Sequence, residues 1–172
     1  MARYLELWRH TDNDGDALTD DGIEAALRIG AGLSADYAVA VSTGAQRATQ
    51  TLACLITAGR LHIPAGVRVD EGLRSDDEDR WRDIAGEADG KDLSAFRVVD
   101  SEFVEAEAQQ LGSALRRVLD RLDDGQRALL VGHSPTNEAA VYGLTGQDID
   151  PMDKGSGVVV VVDGDAYTVE SA

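Results

Sequence analysis

The sequence is short of positive charge, of cysteine and of long apolar runs, and each shortage excludes something. Its 172 residues carry 16 Lys and Arg against 32 Asp and Glu, a formal net charge of -16. No broad basic face is available to neutralise a nucleic-acid backbone, so neither DNA nor RNA is an expected partner. An anionic small molecule fits only where a few cations converge in a cleft, because a cleft focuses potential according to its own lining. Cys54 is the single cysteine, which rules out an intrachain disulfide and a cysteine-rich metal site. Flanked by Leu52, Ala53, Leu55 and Ile56, it reads as a buried thiol acting as a small hydrophobe. No apolar run approaches the ~18 residues of a membrane span, and no charged-then-apolar leader precedes the first strand, so a cytoplasmic protein is expected.

The residues that are there read as one domain over 1–172, with 43% hydrophobic residues and no long linker or internal repeat. The organising stretch is Leu5 to Thr11, an apolar strand that ends on Arg9 and His10. Open α/β folds place their chemistry at the carboxyl edge of the strands, which is where this pair falls. Thr19, with Asp20 and Asp21 behind it, caps a helix predicted over 20–33. Tyr37 to Val41 reads as a buried strand, and Ser42-Thr43-Gly44 breaks it before a helix that carries Arg47 in its first turn. A weaker strand is expected at Val67-Arg68-Val69.

The densely charged segment 70–93 reads either as a solvated surface or as a lid over a site, with Trp81 inside it. The longest helix is predicted from Ser101, as its cap, to about Leu122 on an apolar stripe that includes Phe103, Leu111 and Leu115. Arg127 to Gly132 forms a strand leading into His133-Ser134-Pro135, so the opening device, a buried strand ending on a histidine, recurs. Pro135 starts another helix, and Gly157–Val162 and Ala166–Val169 flank the turn Asp163-Gly164-Asp165 as a closing hairpin. The pattern is α/β, a mostly parallel mixed sheet with a C-terminal antiparallel hairpin.

Two of the three histidines thus end strands, and two arginines stand beside them; His62, next to Pro64 in a polar connection, reads as incidental. Guanidinium groups bind phosphoryl oxygens bidentately, while a neutral imidazole serves as nucleophile and a second one as donor. Arg9, His10, Arg47 and His133 therefore suit a phosphate site. A metal is the other use of paired histidines, but the adjacent arginines repel a cation and no third soft ligand is evident.

Four elements in order carry a family likeness: Arg9-His10-Thr11, Leu18-Thr19-Asp20-Asp21-Gly22, Ser42 to Thr51 with Arg47-Ala48-Thr49-Gln50-Thr51 at its end, and Gly132-His133-Ser134. They resemble the histidine phosphatase, or phosphoglycerate-mutase-like, superfamily over most of the chain. The short length and the ending Gly132-His133-Ser134-Pro135 before a terminal hairpin look like its compact SixA-like branch. The resemblance implies a three-layer αβα sandwich, and catalysis in which His10 attacks phosphorus and becomes phosphohistidine. Arg9, Arg47 and His133 would then hold the non-bridging oxygens, with no cofactor and no metal. The implied activity is a metal-independent phosphatase acting on a phosphorylated small molecule or a phosphoprotein, phosphohistidine included. The alternatives are a non-catalytic phosphate-binding module and, further off, a phosphoglycerate mutase. Two departures stand out. Thr11 replaces the usual glycine and would either narrow the pocket floor or add a hydroxyl donor to phosphate. The general acid lacks a clear motif; Glu71 and Asp76 are the nearest candidates, ahead of Asp77 and Glu78.

Overall fold

The computed structural model describes residues 1–172. In chain order the elements are β1 (Arg3–Arg9), β2 (Asn13–Asp14), β3 (Ala17–Leu18), α1 (Asp20–Gly32), β4 (Val39–Ser42), α2 (Gln46–Gly59), β5 (Val67–Val69), a 3-10 turn (Glu71–Leu73), α3 (Glu78–Glu87), α4 (Leu93–Leu119), β6 (Arg127–Gly132), α5 (Thr136–Thr145), β7 (Gly157–Asp163) and β8 (Ala166–Ser171). The main sheet has the order β5-β4-β6-β1-β7-β8. β5, β4, β6 and β1 run parallel, and β7 and β8 close the edge antiparallel, as the pattern predicts.

Strand alternation divides the interior into two cores. Leu5, Leu7, Val39, Val41, Ala128 and Leu130 face α4 and α5 in the larger one. Trp8, Ala40, Leu129 and Val131 face the opposite way, against Leu52 and Leu55 of α2 and the flank of α1. The result is a three-layer αβα sandwich. No helix is long and apolar enough to cross a membrane.

The α4–α5 layer depends on close backbone approach. A Cβ at Gly143 would lie 1.8 Å from the Ala108 carbonyl oxygen, and one at Gly112 would lie 2.5 Å from the Gly143 carbonyl carbon. Gly143→Ala should therefore force the helices apart and cost about 3 kcal/mol, read as a lower denaturation midpoint. An unchanged midpoint would show that the two helices tolerate separation.

Several boundaries differ from the sequence expectation. The long helix begins at Leu93, capped by the Asp92 side chain, and is kinked at Asp100, whose backbone is non-helical. Asp100, not Ser101, caps the second half, its carboxylate accepting from the Phe103 N–H at 3.0 Å. Arg80 holds the other carboxylate oxygen at 2.7 Å, which fixes the kink. Segment 70–93 holds the 3-10 turn and α3. Its acidic run is the N-terminal turn of α3, with Asp77 as cap and Glu78 and Asp79 where the helix dipole favours carboxylates. Trp81 is buried, edge-on to Phe103, with its indole N–H on Glu107 at 2.9 Å. The loop after β1 contains the small β2–β3 hairpin, and Cys54 is half-buried, not fully so.

Candidate functional site

Parallel pairing places three strand ends at one edge. Arg9 of β1 stands in register with Gly132 of β6, and Ser42 of β4 with Val131. One residue beyond the β1–β6 pair, His10 and His133 meet with ring centroids 5.3 Å apart. Arg47, in the first turn of α2, joins them from the end of β4. The four residues that the sequence singles out are thus brought together from distant parts of the chain.

His10 is buried, and its Nδ1 lies 2.8 Å from the Thr11 carbonyl oxygen. A carbonyl only accepts, so Nδ1 carries the proton and Nε2 keeps its lone pair. Burial, with the Arg47 and Arg9 charges acting in the same direction, lowers the His10 pKa to about 4. Burial and Arg47 lower that of His133 to about 3. Both rings are neutral at pH 7, which suits one as nucleophile and the other as a neutral donor. An NMR titration should find both imidazoles uncharged through neutral pH, with midpoints of about 4 for His10 and about 3 for His133; midpoints near the ordinary histidine value would contradict this burial. Because the folded values lie below those of the unfolded chain, the unfolded state binds more protons, so stability falls as pH drops from about 6.5 towards 4.

His133 Nε2 lies 2.8 Å from the Thr43 hydroxyl, which also faces the Ala45 N–H at 3.5 Å. The tautomer of the His133 ring sets which of the two groups donates. The ring's Nδ1 is buried and has no protein partner. Asn137 fixes the two strand ends, with its Oδ1 accepting from the His133 N–H and its amide donating to the Trp8 carbonyl, each at 3.2 Å. A Cβ on Gly132 would meet this Asn137 oxygen at 2.3 Å, so the glycine before His133 is required by the clip.

Arg9 donates to the Met152 carbonyl at 2.8 Å through Nη1, while its buried Nε has no partner. Arg47 is held by Asp16 of the β2–β3 turn at 2.7 Å and approaches Glu78 at 3.8 Å. Glu78 in turn takes a hydrogen bond from Arg74 at 2.7 Å. The cationic lining therefore includes Arg74, and two carboxylates orient it.

The remaining candidates fall elsewhere. The Thr11 hydroxyl donates to the Gly22 carbonyl at 2.7 Å and its N–H to Thr51 at 3.3 Å, so it braces the loop below the site. Gly22 permits that contact, since a Cβ there would sit 2.0 Å from the Asp12 carbonyl oxygen. Glu71 and Asp76 are exposed on the wall of a polar cavity of about 510 Å³ beside Thr43 and Gly44. Neither forms an ion pair with a site arginine; Glu78, ranked behind them from the sequence, does. His62 is exposed beyond the C-terminus of α2. Sequence reasoning missed the contacts of Thr43 and Asn137 to His133. For Asn137 the one available signal was its place among the buried first residues of α5.

The family model described as histidine phosphatase superfamily (branch 1) matches residues 6–171. Among solved structures, the chain is similar to a phosphoglycerate mutase from Bacillus anthracis str. Sterne, at 16% identity and a TM-score of 0.69, covering 99% of this chain and 92% of that one. It is similar to the protein histidine phosphatase SixA complexed with tungstate, at 17% identity and a TM-score of 0.60, covering 98% and 96%. It also resembles the alpha-ribazole phosphatase from Shigella flexneri, at 21% identity and a TM-score of 0.60, covering 98% and 95%. Among curated proteins none matches the chain.

Proposed function

The chain belongs to the histidine phosphatase superfamily, and on that premise we propose that it is a metal-independent phosphatase acting through a phosphohistidine intermediate on His10. The observation that carries this reading is the His10 Nδ1 contact to the Thr11 carbonyl, which leaves Nε2 unprotonated in a buried, cation-lined pocket. Phosphoryl transfer needs in-line positioning and preorganised positive charge more than any other assistance. Arg9 and Arg47 supply the charge, and the neutral His133 ring supplies a further donor. The same arginines disfavour a metal ion at this point. Substrates are phosphomonoesters or a phosphohistidine side chain.

The reading is tested by turnover of a panel of phosphomonoesters and a phosphohistidine protein in the presence of chelator. Release of inorganic phosphate supports it. Tight phosphate binding without turnover of any substrate would favour the non-catalytic module, and transfer within phosphoglycerates without release would favour a mutase.

A further inference from the structure

Phosphate-ester cleavage leaves an alkoxide that needs a proton, and the carboxylates on the α3 side are poorly placed to give one. Glu78 is held below the usual carboxylate range by its hydrogen bond from Arg74, so it is ionised in the resting site. Glu71 and Asp76 face solvent.

The α5 side differs. Ser134 follows His133 directly and lines a cavity of about 240 Å³ together with His133, Arg47 and Glu78. Its hydroxyl lies 2.5 Å from Oε1 of Glu138, one helical turn on. Glu138 is 3% exposed, its Oε1 also accepts from the Met152 N–H at 2.9 Å, and its Oε2 is buried without a partner. A carboxylate in that position would leave one oxygen bare in the interior, whereas a carboxylic acid carries less charge to desolvate. We propose that Ser134 and Glu138 form the proton relay for the leaving group, with the serine hydroxyl protonating the departing atom and the buried carboxyl reprotonating the serine.

This rests on the phosphohistidine reading. In the first step the His10 Nε2 lone pair forms the N–P bond and the bond from phosphorus to the leaving oxygen breaks. That oxygen keeps the electron pair and takes the Ser134 proton, and Ser134 takes the Glu138 proton, leaving a carboxylate. In the second step water forms the new P–O bond, the N–P electrons return to Nε2, and the proton lost by water passes through Ser134 back to Glu138. One water is consumed, and the site returns to its starting state. Burial pushes the Glu138 carboxyl up, while the Met152 N–H, the Ser134 hydroxyl and the Arg9 charge from β1 pull it down; burial is the largest of these. The structure shows the contact with serine donating, which is the form after the proton has been delivered, and protonating Glu138 reverses the same hydrogen bond.

The relay is tested by a leaving-group series running from dinitrophenyl phosphate, which needs little protonation, to phenyl phosphate, which needs much. Ser134→Ala and Glu138→Gln should each lose about threefold on the first and about 100-fold on the second, and Ser134→Thr, which keeps the hydroxyl, should restore the wild-type slope. Equal losses at both ends would mark a merely structural role and overturn the relay, as would no loss at either. Should Glu138→Gln fail to fold, the partly exposed Ser134 pair of variants decides alone. His10→Ala separates the two claims: if it retains turnover across the series, the phosphohistidine reading itself fails, whatever the slopes of the relay variants.

Discussion

Replacing His10 with alanine should lower kcat by at least about 10⁴-fold while leaving the protein folded and able to bind phosphate. The imidazole presents an unprotonated Nε2 in the pocket, its ring fixed by the Thr11 carbonyl at 2.8 Å. Removing it deletes the atom that forms the N–P bond, and water attacking directly would lack a positioned base. The fold should survive because the ring's only hydrogen bond is to a neighbouring backbone oxygen. Phosphate affinity should fall less than about tenfold, since Arg9, Arg47 and His133 remain to hold the oxygens. Turnover within tenfold of wild type would remove His10 from the chemistry.

Arg47→Ala should lower kcat/KM by about 10³-fold, in KM as well as kcat. Arg47 contributes more than its own charge. It neutralises Asp16 at 2.7 Å and faces Glu78 at 3.8 Å, so its loss leaves two carboxylates lining the approach of a phosphate dianion. Arg47→Lys should recover only a small part, because an ammonium cannot hold Asp16 and a phosphoryl oxygen with one planar fork. Arg82→Ala provides the contrast: that side chain is 74% exposed and pairs with Asp79, and its removal should change kcat/KM less than threefold. Equal effects at Arg47 and Arg82 would show that general charge, not position, governs binding.

Much of the fold and of the site was legible in the sequence because both rest on local patterns. Strands ending on Arg9-His10 and on Gly132-His133 announce themselves by apolar runs stopping at polar residues. Parallel connectivity then requires that the two ends share an edge. The register that puts Arg9 opposite Gly132, and so the two rings 5.3 Å apart, follows from that edge.

What escaped depends on contacts between distant segments. The kink at Asp100 is set by Arg80, a residue of α3, and no pattern within α4 displays it. The acidic run at 76–79 is mostly exposed, as its charge suggests, but it is also a helix N-terminus whose buried anchor, Trp81, has its partner at the distant Glu107. Thr11 is committed to Gly22 for the same kind of reason. Glu138 appeared, with Asn137, as a polar residue of a helix; only its burial and its contacts to Ser134 and Met152 bring it next to the residue that follows His133.

The central claim is that phosphorus passes through His10. Mixing enzyme with a radiolabelled phosphomonoester and quenching in alkali within the first turnovers should trap one phosphoryl group per chain, stable in base, released by acid, and located on the peptide containing His10. Turnover with no covalent phosphoryl group at any quench time, or a trapped group on another residue, would contradict the account.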